Sequence, residues 1–402
     1  MTSSSARRAY AGPPLFSFGF RPFFLLACAW PAATIPVWVG TYLGCPPFEG
    51  LLTRDWHVHE MIFGYLSAVM AGFLLTAVPN WTGRLPVMGA PLAGLAGLWL
   101  AGRLAMLLFP AEPLSAAVDV AFLFVFAAVV WREVLAGRNW KNLPVCGLVT
   151  LMALANLAVD LRPLSAELAA GGERLALGVA AVMIALIGGR VTPSFTRNWL
   201  APRGETRLPA PASLFDTAVL VATAVAAAAW VAVPEARPVG ALLVLAGVAN
   251  LVRLARWRGH RTLAEPLVWV MHAGYGWMAL SLAVLGASVL APSHIARSAG
   301  IHALTAGAIG VMTLAMMTRA TLGHTGRARH AGPWTTLIYV SANLAAALRV
   351  AAALAPEDAP ILLSLASLAW SVAFAGFVLV YGPMLWGPRA DAAPARPQAA
   401  RA

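Results

Sequence analysis

Apolar residues run in blocks of about 18–24 positions from Phe23 to Trp386, each long enough to cross a ~30 Å hydrocarbon core as a helix. Twelve blocks can be counted, near residues 20–43, 56–79, 87–109, 114–135, 143–160, 174–193, 213–233, 238–256, 266–290, 297–319, 333–354 and 360–386. The connections between them are short, and even the longest, near Arg197 to Ala212, is too short to fold alone. The pattern predicts an all-α integral membrane protein, a polytopic bundle of about twelve transmembrane helices. Residues 1–19 read as an N-terminal tail, 20–386 as the transmembrane domain, and 387–402, rich in Pro and Ala, as a disordered C-terminal tail. Met1 to Pro14 lacks the charged start and apolar core of a cleavable signal.

Composition agrees. Of 402 residues, 60% are hydrophobic and 11% charged, with a mean hydropathy of +0.75. Soluble domains carry roughly 25% charged residues. A net charge of +12 would suit a nucleic-acid partner if it formed one basic surface. Instead, fifteen Lys and Arg, from Arg84 through Arg329, fall in the connections after spans 2, 4, 6, 8 and 10. The alternate connections hold five, Arg54, Arg162, Arg174, Arg237 and Arg297, beside the acids Glu112, Glu167, Glu357 and Asp358. That alternation is the positive-inside pattern, and it places both termini and the even connections in the cytoplasm. The expected surroundings are a lipid bilayer, with no nucleic acid. Cys28, Cys45 and Cys146 are isolated, with no CxxC and no disulfide-like spacing.

Against this apolar background the ionisable residues stand out. Trp56-His57-Val58-His59-Glu60-Met61 opens the second span at its outer end. Ionisable side chains there are costly to bury and usually mark a functional site. His302 lies a turn or two into the tenth span from the same face, with His294 in the loop before it. His272 is in the inner part of the ninth span, and His260, His324 and His330 are at or beyond the cytoplasmic end. His302 and His324 are 22 positions apart, ~33 Å along a straight helix, so one metal cannot take both. Two candidate sets follow: an outer one of His57, His59 and His302, and an inner one of His272 and His324.

Imidazole is the usual nitrogen ligand of haem iron, copper and zinc, and facing helices of a bundle often hold such cofactors. For any single histidine an interhelical hydrogen bond is the plain alternative. At ~100° per residue His57 and His59 point roughly 160° apart, so as helical residues they cannot bind one ion together. His57 shares a face with Glu60, Met61 and Gly64 on that spacing. Gly64, Ala68 and Gly72 would let another helix, or a flat macrocycle, approach closely. Arg103, Arg349 and Asp119 lie in the outer halves of spans 3, 11 and 4. Either Asp119 pairs with an arginine, or the arginines hold haem propionates through bidentate bonds. No GxSxG, HExxH or P-loop spacing is present.

Several stretches resemble the NnrS family. They are Phe16-Ser17-Phe18-Gly19-Phe20-Arg21-Pro22-Phe23-Phe24, Trp56 to Met61, Gly72-Phe73-Leu74-Leu75-Thr76-Ala77-Val78-Pro79-Asn80-Trp81-Thr82-Gly83, Gly189 to Asn198, His302 to Gly310, and Thr318 to Arg327. The resemblance implies a bacterial inner-membrane protein of twelve spans containing haem b and copper, tied to nitric oxide metabolism and tolerance of nitrosative stress. On this view His302 and either His57 or His59 ligate haem iron, with Arg103 and Arg349 near the propionates. Copper would use the remaining outer histidine or the pair His272 and His324. The layout, with histidines on the second and tenth spans, is also similar to the catalytic subunit of haem–copper oxidases, although layout alone does not imply function. The ligand would be nitric oxide or nitrosylated iron. A haem–copper oxidoreductase acting on it would need protons, an open coordination position and an electron donor, which the sequence does not identify. The rival expectation is a twelve-helix transporter exporting a small metabolite or a nitrosylated metal complex, although the two halves show no convincing self-similarity. An assembly factor for another metalloprotein is a third.

Overall fold

The computed structural model describes residues 10–391, so the ends of the predicted tails, 1–9 and 392–402, lie outside the described residues. Among those described there are no strands. Twelve helices are long and apolar enough to cross a membrane, and the protein is a multi-pass membrane protein. They are α1 (Phe20–Tyr42), α2 (Arg54–Thr82), α3 (Ala90–Leu108), α4 (Pro113–Ala136), α5 (Trp140–Asp160), α6 (Ala166–Arg203), α7 (Leu214–Ala232), α8 (Arg237–Arg261), α9 (Pro266–Leu290), α10 (Arg297–His324), α11 (Pro333–Leu354) and α12 (Pro356–Trp386).

Most boundaries match the hydrophobic pattern within a few residues. The sixth span is the exception, starting at Ala166 rather than near 174. Ser165 caps it by accepting from the Leu168 amide, Glu167 lies in its first turn, and Glu173, further in, pairs with Arg162. These polar residues are compatible with a helix but hide its start from a hydropathy scan.

Lipid gives helices no hydrophobic reason to associate, so close packing and internal polar bonds hold the bundle. Neighbours in sequence pack in turn, and α12 returns to α1. Buried Arg21, in the first turn of α1, closes that seam: its Nη1 donates to the carbonyls of Leu385 (2.8 Å) and Gly387 (2.7 Å) at the end of α12. The most enclosed spans are α2, α10 and α6, with 83%, 78% and 67% of their apolar windows buried. The centre is thus occupied by every fourth helix. Each of these three also contains wide π-helical turns, at Glu60–Leu66, Ile184–Gly188 and Ala303–Ile309. Such turns insert an extra residue into the helical repeat and often occur at functional sites. Two of them begin directly after His59 and His302.

Candidate functional site

The start of α2 sets the site. Thr53 accepts from the Trp56 amide at 3.1 Å, a side-chain cap that fixes where the helix begins. From there the two histidines diverge as their helical spacing predicts. His57 lies flat against Trp38 of α1, with ring centroids 4.7 Å apart and planes 6° apart. His59, only 3% exposed, turns into the bundle between α4 and α5.

There it joins a buried nest of charges drawn from five helices. His59 Nε2 lies 3.2 Å from both Asp119 Oδ2 and Asp160 Oδ1, and Nδ1 lies 3.2 Å from Glu60 Oε1. Arg103 bridges two of the acids, with Nη1 2.9 Å from Glu60 Oε1 and Nη2 on Asp119 Oδ1. Asn156 Nδ2 donates to Asp119 Oδ2 at 2.7 Å, and Trp30 Nε1 donates to Glu60 Oε2 at 2.8 Å. Of the two sequence alternatives for Arg103, the structure shows the ion pair. Gly64 makes room for it: a Cβ there would meet Glu60 Oε2 at 2.8 Å and Arg103 Nη1 at 2.9 Å. Glu60 faces the nest and shares no partner with His57, three positions earlier.

The nest is short of positive charge. Three carboxylates face one guanidinium, and even an imidazolium at His59 leaves one negative charge over. Such an excess is costly in an apolar bundle and favours a further cation, whether a proton or a metal ion. His59, Asp119 and Asp160 offer ligand atoms all within 4.8 Å of one another, a spacing that could hold a metal ion. Asp160 Oδ2 and Asn156 Oδ1 are buried without a hydrogen-bond partner.

His57 belongs to a different group. It lies within electrostatic range of His302, and Arg349 and Arg54 lie within range of both rings. His302 Nδ1 faces the Ser298 carbonyl at 2.8 Å, one turn back along α10. With the proton on Nδ1, that bond leaves the Nε2 lone pair directed away from the helix, the arrangement found in metal-binding histidines. Both rings are half-buried.

The outer residues expected from the sequence therefore form two groups, His57 with His302 and Arg349, and His59 with Arg103 and Asp119. The inner pair has separate surroundings. His272 Nε2 lies 2.8 Å from Thr196 Oγ1, with Nδ1 buried and unpartnered. The His324 ring packs against Phe18 and Phe20.

Sequence reasoning missed Asn156 and Asp160. Their signal was present, because polar residues four apart near the end of an otherwise apolar span share one face. It also missed Arg253, buried at 5% exposure, which pairs with Asp216 at 3.0 Å and donates to Tyr275 at 2.9 Å. Its place in a run of arginines read as a connection disguised it.

No curated protein matches the chain. The family model described as NnrS protein matches residues 14–389, from the turn before α1 to just past α12, and the chain belongs to the NnrS family.

Proposed function

We propose that this chain is a haem b-binding protein of the bacterial inner membrane, with cytoplasmic termini, that binds or processes nitric oxide or relieves nitrosylated iron. The observation that carries the reading is the His57–His302 group. Two half-buried imidazoles stand on separate central helices, one held flat against Trp38 and the other with its Nδ1 anchored on a backbone carbonyl. These donors fit a haem. His302 and His57 would hold the iron, and the Arg349 guanidinium, whose charge reaches both rings, suits a propionate. Bound there, haem would supply an iron that could take nitric oxide in place of one of the two histidines.

The chain's own contribution is positioning. Trp38 holds the His57 ring by stacking, and the nest anchors α2 two residues further on. Copper fits the His59, Asp119 and Asp160 set in its divalent state, because nitrogen and oxygen donors suit copper(II) and the set has no sulfur for copper(I).

The test is a visible spectrum of the purified protein, oxidised and dithionite-reduced, with and without nitric oxide. Haem bands that shift with nitric oxide, and that disappear in H302A, are expected. A colourless protein that cannot be reconstituted with haem would overturn this reading and favour a transporter.

A further inference from the structure

Three of the stretches that resemble the family take no part in either outer group. They are Gly72 to Gly83, Gly189 to Asn198 and Thr318 to Arg327. All three meet at the opposite end of the bundle. Thr76, Ala77, Asn80 and Trp81 of α2, Arg190, Val191 and Phe195 of α6, and Arg319, Ala320 and Gly323 of α10 line one cavity of ≈480 Å³. The three central helices thus line a partly open cavity, on the side where the positive connections gather.

Its charge is one-sided. Arg190, Arg319 and Arg329 line it, and no Asp or Glu does. None of the three arginines forms an ion pair among the described residues, whereas Arg253, Arg256 and Arg261 nearby all do. Arg319 is half-buried, stacks over the Phe195 ring at 3.8 Å, and has a buried Nε without a partner. Glu265 acts on it only at longer range, because its own oxygens are taken by the Leu267 and Ala331 amides and by His330 Nδ1. Orientation in the membrane explains arginines in loops. It does not explain a guanidinium on a central helix facing a cavity with no counter-charge, where the desolvation cost is left uncompensated.

We propose that this cavity binds a phosphate-bearing ligand. Guanidinium groups match phosphate oxygens in pairs, and the Asn80 and Asn142 amides add neutral polar groups. Phe24, Phe73 and Phe195 give the cavity apolar walls that suit the organic part of a phosphate ester. The phosphate comes either from the headgroup of an anionic phospholipid or from a soluble ester. Neither source depends on the haem reading, which concerns the other end of the bundle.

The experiment is a thermal-shift titration of the full-length protein in detergent with inorganic phosphate, with a short-chain phosphatidylglycerol, and with phosphatidylcholine as the zwitterionic control. Saturable stabilisation by one of the first two is expected, weakened about tenfold or more in R319Q and R190Q and unchanged in R258Q. Saturation by inorganic phosphate alone identifies a soluble ligand; response to the anionic lipid only identifies a headgroup. R190Q removes an exposed side chain, so the test survives if R319Q folds poorly. No saturable response to either probe, or wild-type affinity in both variants, would overturn the proposal.

Discussion

Arg103 reaches across from α3 to Glu60 of α2, with Nη1 2.9 Å from Oε1 and both side chains 1% exposed. This bond ties the helix carrying both outer histidines to its neighbour, one position beyond His59. Truncating it in R103A strands the Glu60 and Asp119 carboxylates, and breaking buried pairs of this kind typically costs about 3–5 kcal/mol. R103A should therefore be strongly destabilised in detergent. R103K should recover little, because a single ammonium cannot fork between Glu60 and Asp119 as the guanidinium does. Thermal unfolding checks both variants, and wild-type stability in R103A would contradict the nest as drawn.

The divergence of His57 from His59 gives separable phenotypes. H57A should lose haem absorbance. H59A should keep haem but lose any divalent metal that co-purifies, since its ring serves Asp119 and Asp160. Spectra and metal content measured on the same preparations decide it. Equal haem loss in both variants would mean that the two groups act as one.

Gly300, one turn into α10, sits against the backbone of α9. A Cβ there would meet Leu285 N and Cα at 2.7 Å, and backbone cannot rotate aside as a side chain can. G300A should push α9 and α10 apart, costing about 1–3 kcal/mol. It should also disturb His302, two positions away. A lowered melting temperature together with broadened haem bands is the expected outcome.

On the outer connection between α7 and α8, Glu235 takes both Arg297 terminal nitrogens, at 2.7 and 2.6 Å. The Arg297 hydrogen bond holds the Glu235 carboxyl below its ordinary value. A lowered folded value means that the contribution is complete above the ordinary carboxylate range and is lost as pH falls through the lowered value. The pair is exposed, so the contribution is small and screened by salt. E235Q should melt slightly below wild type near pH 7 in low salt, and the gap should close as the pH falls through the lowered Glu235 value. A gap that persists in acid would point to packing rather than charge.

Much of the molecule was legible because hydropathy is a property of consecutive residues. Runs of apolar side chains have one stable arrangement in lipid, a helix that satisfies its own backbone bonds. Helical spacing likewise separated His57 from His59 before any contact was known, and the i,i+4 relation of Asn156 and Asp160 was there to be read. The start of α6 was not legible, because Ser165 and Glu167 satisfy a helix end without being apolar.

The sequence by itself determined the class of fold, the number of spans, the family and the outer face as a place where ionisable residues collect. Only the tertiary structure decided the partners. That Arg103 answers Glu60 and Asp119 while Arg349 acts on His57 and His302 depends on which helices are neighbours. Which neighbours meet is set by small residues and by π-helical turns that rotate a face, through contacts between residues far apart in the chain. The local pattern fixes how long each helix is and how deep each residue sits. It cannot fix the direction in which a buried charge finds its counter-charge, because that energy exists only once the bundle has closed.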